Sequence, residues 1–165
     1  MKIETLQVGD LDTNCYILDI NNKVVIIDPG DDFDRIKKQI GNREVVGVLI
    51  THFHFDHIGA IEEVIGYYNV ETNKVNSKAF KYDVIEAPGH TEDSRVFYFK
   101  HDNIMFVGDF IFKNSIGRTD LGGSDKLMKE SLEMISKYPD NTILYPGHGP
   151  STTLKEEKNN FKYYY

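Results

Sequence analysis

From Val45 to Ala60 the chain reads VVGVLITHFHFDHIGA. The first part, VVGVLI, is a short continuous apolar run rich in β-branched residues, which reads as a strand buried on both faces. It ends directly in His52, His54, Asp56 and His57. His52, His54 and Asp56 alternate, so an extended segment points them the same way. His57 breaks the alternation, so the chain must bend there and can offer donors to two points. Three histidines and an aspartate at the end of a buried strand are costly without a partner.

The period changes on both sides of this strand. Upstream, KIETLQV and TNCYILDI are β-prone, and KVVIIDP returns from a turn at Asn21-Asn22 as the second arm of a hairpin. In DDFDRIKKQIG, Phe33, Ile36 and Ile40 share a helical face, with aspartates at the start and Gly41 at the end. Downstream, Ile58, Ile61 and Ile65 mark a second helix. Residues 67–81 read as a loop with one short strand. YDVIEA, RVFYF and NIMFV follow as strands, the last two joined at His101-Asp102. A helix is expected from Asp125 to Lys137, with Ser124 as its N-cap and Pro139 as its stop. TILY is a last strand, and TTLKEEKNN a short helix in which Thr153 and Glu156 suit a capping box. With no repeat, low-complexity tract or linker, residues 1–165 read as a single α/β domain.

Four strands end alike. VGVLI runs into the histidine cluster, VIEA into Pro88-Gly89-His90, IMFV into Gly108-Asp109, and TILY into Pro146-Gly147-His148. Glycine just before a donor lets the chain turn sharply and approach an ion closely. A single Pro-Gly-His is most often only a turn, and His101 reads as a solvated hairpin residue. The convergence of four such ends on one residue chemistry points instead to a metal site on a rigid sheet edge. The donors total seven nitrogen and oxygen groups: His52, His54, Asp56, His57, His90, Asp109 and His148. One zinc ion takes about four ligands, so the set is too large for one ion and suits two with a bridging carboxylate.

Composition narrows the field. Hydrophobic residues make up 40% of the 165 and charged residues 27%, ordinary for a globular protein. The net charge of −7 argues against a nucleic-acid partner, which calls for a basic stripe. Cys15 is the only cysteine, so no internal disulfide forms and a reducing compartment is expected. The start, MKIETLQVGD, carries charges where a signal peptide needs an apolar stretch, and no run approaches a membrane span. A cytoplasmic protein acting on a small molecule is the expectation, as a monomer or a homodimer. Phe161 and Tyr163 to Tyr165 offer an aromatic surface for a partner.

The motifs THFHFDHIGA, APGHTEDS, VGDFIFKNSIGRTDLGG and YPGHGPSTT, in this order and with NCYIL and VVIIDPG before them, resemble the metallo-β-lactamase superfamily. Within it they are most similar to glyoxalase II-like hydrolases. The resemblance implies an α+β fold, a four-layer αββα sandwich of two mixed sheets flanked by helices. It implies one divalent ion on His52, His54 and His90, a second on Asp56, His57 and His148, and Asp109 bridging both. Zinc is the default, with iron or manganese also suited to such donors. Asp56 and Asp109 are the implied catalytic carboxylates, Asp28 a supporting residue behind the ligands, and Arg118 a contact for a thioester's anionic end. The implied reaction is hydrolysis of a low-molecular-weight thiol's thioester by hydroxide held between the ions. The alternatives are a mononuclear iron persulfide dioxygenase and a lactonase or other small-ester hydrolase. A β-lactamase is less expected, because such relatives commonly have cysteine where this chain has Asp109. The segment at 67–81 is shorter than in relatives, HTEDS has Glu92-Asp93 where Pro-Gly is common, and the glutathione-holding helical domain of true glyoxalase II enzymes would lie beyond Tyr165.

Overall fold

Asn21 and Asn22 both adopt positive φ (52° and 64°), the conformation a tight two-residue hairpin turn requires. The computed structural model, which describes residues 1–165, therefore opens with the expected hairpin. Strands β1 (Lys2–Val8), β2 (Thr13–Ile20) and β3 (Lys23–Ile27) pair antiparallel in sequence. Helix α1 (Phe33–Ile40) carries the chain to β4 (Glu44–Leu49), which joins β3 in parallel. Val24 to Ile27 and Val48 to Ile50 are all buried, as a continuous apolar strand requires.

The helix expected around Ile58 and Ile65 is broken in two: α2 (Phe55–Ile58), a single turn, and α3 (Ile61–Tyr68). The break has a packing cause. A Cβ on Gly59 would lie 2.1 Å from the Gly30 carbonyl oxygen, and the Ala60 amide donates to the Pro29 carbonyl at 3.0 Å. The Asp28-Pro29-Gly30 turn thus wedges against this joint. Strand β5 (Lys74–Val75) closes the sheet, the one short strand expected in 67–81. Ile36 and Ile40 of α1 and Val64 of α3 pack on Ile17, Val24, Ile26 and Val48. Burying each such side chain contributes about 1.5–3 kcal/mol.

Residues Met1–Phe80 form one compact unit and Lys81–Tyr165 a second. In the second, β6 (Asp83–Glu86), β7 (Arg95–Phe99) and β8 (Ile104–Gly108) form an antiparallel meander. A small hairpin of β9 (Ile111–Phe112) and β10 (Ser115–Ile116) follows, unanticipated because its arms are too short to show a period. Helix α4 (Asp125–Ile135) begins at Ser124, whose hydroxyl accepts from the Leu127 amide, and ends two residues before the expected Lys137. Strand β11 (Ile143–Pro146) runs parallel to β8 and pairs with β12 (Thr152–Thr153). Helix α5 (Leu154–Lys158) carries the full Thr153–Glu156 capping box. Met128, Leu132 and Ile135 of α4 meet Val96, Met105 and Leu144, and Phe161 packs on this same core.

Each unit is thus a mixed five-stranded sheet with helices against it, and the chain is of the α+β class. No helix is long and apolar enough to cross a membrane.

Candidate metal centre

In the first unit the donors follow β4 without a gap. His52 and His57 are buried, His54 and Asp56 half-buried. His54 is extended (φ −62°, ψ 146°) and its carbonyl accepts from the His57 amide at 3.0 Å, starting the single turn α2. The bend demanded by His57 is therefore a helix start. The three rings crowd together: His52 to His57 is 4.2 Å and His52 to His54 4.8 Å between centroids. Three imidazoliums at such spacing would repel one another.

A buried carboxylate orders this cluster. Asp28 takes a positive φ of 52° while its amide donates to the Leu49 carbonyl at 3.0 Å. Its Oδ1 accepts from the Thr51 amide at 2.8 Å, and its Oδ2 from the Thr51 hydroxyl at 2.6 Å and from His57 Nδ1 at 2.8 Å. Because the Thr51 proton goes to Asp28, the Thr51 oxygen is left to accept from His52 Nδ1, 3.1 Å away. Both imidazoles then carry their proton on Nδ1 and their lone pair on Nε2, the nitrogen a metal needs. Thr13 adds a donor to Asp56 Oδ2 at 2.9 Å. Gly30 is obligatory here, since a Cβ would meet the Asp56 carbonyl oxygen at 1.7 Å. Thr51 and Thr13 were not singled out in the sequence. Thr51 adjoins His52 and was open to suspicion, whereas nothing near Thr13 marks its role.

The second unit holds its donors differently. His90 follows Gly89 after β6, Asp109 follows Gly108 (φ 54°) after β8, and His148 follows Gly147 after β11. The Gly147 amide donates to the Gly108 carbonyl at 2.9 Å, so main chain links two of these strand ends. Asp109 Oδ2 lies 3.6 Å from His90 Nε2 and 3.5 Å from His148 Nε2, and in the first unit His57 Nε2 lies 3.4 Å from Asp56 Oδ2. These separations exceed a hydrogen bond of about 3.2 Å. They match two ligands of one tetrahedral ion at about 2.0–2.1 Å each, whose donors sit roughly 3.3 Å apart. His90 Nδ1 donates to the Arg118 carbonyl at 2.7 Å; a carbonyl only accepts, so His90 too presents Nε2. The Arg118 guanidinium itself grips Asp120 through two bonds of 2.6 Å. His101 is exposed, as expected of a solvated turn residue.

A model of the metallo-beta-lactamase superfamily matches residues 8–82 and 80–148. The chain belongs to this superfamily. It is 26% identical to hydroxyacylglutathione hydrolase GloC of Haemophilus influenzae over 96% of this chain and 95% of that protein. Among solved structures it is similar to BLEG-1 B3 metallo-beta-lactamase, with TM-score 0.91, 28% identity and 99% of each chain covered. It is also similar to TTHA1623 in a di-iron-bound form, with TM-score 0.85, 27% identity, and 93% and 96% covered. The fold class implied by the motifs is thereby established, and the superfamily supports a metal-dependent hydrolase. The histidine and aspartate clusters, together with the family, suggest a two-metal centre.

Proposed function

We propose that the chain is a dinuclear metal-dependent thioesterase acting on the acyl thioester of a low-molecular-weight thiol. His52, His54 and His90 hold one divalent ion, Asp56, His57 and His148 the other, and Asp109 serves both. Zinc is the first assignment; similarity to a di-iron protein keeps iron in play. When bound, the two ions supply hydroxide at neutral pH and polarise the substrate carbonyl.

The chain's own residues prepare this chemistry. Asp28 and Thr51 keep His52 and His57 in the Nδ1-protonated form, which leaves Nε2 of these two rings to face an ion. Thr13 fixes the half-buried Asp56 carboxylate by its Oδ2. Asp56 and Asp109 would orient the attacking oxygen. A thiolate leaves without a strong proton donor. The observation that carries the reading is the Nε2-presenting donor set, read beside similarity to a protein named for cleaving hydroxyacylglutathione.

The test is elemental analysis of the purified protein alongside thioesters built on several thiols. Two ions per chain and turnover of at least one thioester are expected. Asp109→Ala should abolish both turnover and retention of the second ion; survival of both ends the proposal. Similarity to BLEG-1 favours a second reading, β-lactam hydrolysis, so a chromogenic cephalosporin belongs in the same panel. One iron per chain with oxygen consumed on a persulfide would favour the dioxygenase instead.

A further inference from the structure

Loop Gly117–Ser124, between β10 and α4, lies across the strand ends that carry His90 and Asp109. A Cβ on Gly117 would stand 1.8 Å from the Asp109 carbonyl oxygen and 3.2 Å from the His90 Cβ. A Cβ on Gly123 would stand 2.2 Å from the Gly89 carbonyl oxygen and 2.7 Å from that of His90. The Gly117 amide donates to the Phe110 carbonyl at 3.2 Å and the Ser124 amide to the Gly89 carbonyl at 2.8 Å. Both ends of the loop are therefore pinned by main chain to the two ligand segments. Its middle is closed by the Gly123 amide on the Thr119 carbonyl at 3.0 Å, by the Thr119 hydroxyl on Asp125, and by the Arg118–Asp120 fork.

We propose that this loop is a strap that positions His90 as a metal ligand, with Arg118 acting through its carbonyl oxygen and the Arg118–Asp120 fork holding that carbonyl in place. The inference rests on the metal role of His90 and not on the identity of the substrate. A guanidinium meant for an anionic substrate would have to leave a bidentate carboxylate, and Asp120 beside it repels anions. Arg118 hydrogen bonding holds the Asp120 carboxyl down to about 2, so the fork stays charged across the physiological range. The pair is exposed, 61% and 64%, so its value lies in fixing the path of residues 118–120 and not in bulk stability. Arg118, Asp120 and Gly117 are positioning residues.

The experiment uses the full chain, nitrogen-15 labelled and stripped of metal. A two-bond proton–nitrogen correlation spectrum reads which ring nitrogen of His90 bears the proton, and Zn2+ is then titrated against a competing chelator. Wild type should show the Nδ1-protonated ring. Arg118→Ala and Asp120→Ala should each erode that preference and weaken zinc by roughly two- to fivefold. The double variant should be no worse than either single one, and Arg118→Lys should behave like Arg118→Ala, because an ammonium cannot form the fork. Gly117→Ala should weaken zinc about 10–100-fold, the range for lost support behind a ligand. If Gly117→Ala fails to fold, the two surface variants, checked by circular dichroism, decide alone. An unchanged His90 ring and zinc affinity in both overturns the proposal. So does a raised KM for an anionic thioester in Arg118→Ala with Asp120→Ala unaffected, which would make the guanidinium a substrate contact. If no thioester is cleaved at all, the thioesterase reading falls while the ring and zinc measurements still judge the strap.

Discussion

The two units solve one problem in opposite ways. In the first, four donors sit within six residues of chain, and a single buried side chain, Asp28, fixes His57 directly and His52 through Thr51 by three hydrogen bonds. In the second, His90, Asp109 and His148 are spread over three strand ends and are steadied by main chain: the Arg118 carbonyl, the Gly108 carbonyl, and glycines that allow strands to touch. In a contiguous cluster one carboxylate can hold one ring directly and a second through the residue beside it. Dispersed donors come from separate segments, and backbone contacts between those segments help to place them. The first arrangement is vulnerable to loss of a side chain, the second to gain of one.

The largest expected effect tests the first half of that contrast. Asp28→Ala strands the Thr51 amide, the Thr51 hydroxyl and His57 Nδ1 in a buried space. At about 1–3 kcal/mol per unmet buried group, partly relieved by water, the variant should lose roughly 3–5 kcal/mol in urea denaturation. Its zinc affinity should fall by about 10–100-fold. Arg118→Ala in the second unit should lose little stability. Equal losses in the two variants would erase the distinction between side-chain and main-chain support.

The same contrast explains what was legible in the sequence. The histidine cluster, the Gly-His and Gly-Asp strand ends, the Asn-Asn hairpin and the Thr153–Glu156 capping box depend on residue types at fixed local spacing, and the observed elements reproduce the last two in detail. Asp28 was noticed only through a family resemblance, because the link from residue 28 to residues 51 and 57 is tertiary. The strap over His90 was not legible at all: a carbonyl oxygen carries no sequence signature, and Gly117 reads as one loop glycine among several. The Arg118–Asp120 fork was likewise hidden, and only the family resemblance implies a substrate contact for this guanidinium. The split between α2 and α3 was missed for the same reason, since Gly59 yields to Gly30, a residue far away in the chain.

A second prediction concerns acid. At the edge of the first sheet Arg43 bridges Glu4, at 3.1 and 3.2 Å, and Asp19, at 2.7 Å, all three mostly buried. Burial works to raise the Glu4 carboxyl, but hydrogen bonds from Arg43, Gln39 and Lys2 outweigh it and bring the group from 4.5 to about 2. Asp19 is also lowered, chiefly by its bond to Arg43. A carboxyl depressed in the folded state adds stability above its unfolded value and loses it as pH falls through its folded value. Arg43→Ala should therefore cost about 2–3 kcal/mol at pH 7, and the gap from wild type should narrow between about pH 4.5 and 2. Urea titrations across that window measure it, and a gap independent of pH would refute the assignment. The buried Glu157 of the second unit is held instead by the neutral Thr152 hydroxyl at 2.6 Å and the Asn114 amide at 2.9 Å. No arginine there offers an equivalent handle.

The smallest effect is the sharpest probe of the main-chain half. Ser124 serves the second unit twice: its hydroxyl caps α4 through the Leu127 amide at 3.3 Å, and its own amide ties the strap to Gly89 at 2.8 Å. Ser124→Ala removes only the first contact. It should cost about 1 kcal/mol of stability, the usual worth of a serine N-cap, and leave zinc affinity unchanged. Gly123→Ala, one residue earlier, keeps the cap but pushes a methyl group into the Gly89 and His90 carbonyls. That variant should weaken zinc while Ser124→Ala does not, although serine is the residue with the hydrogen-bonding side chain. If deleting the hydroxyl lowered metal affinity as much as adding the methyl, the second unit would depend on side chains after all.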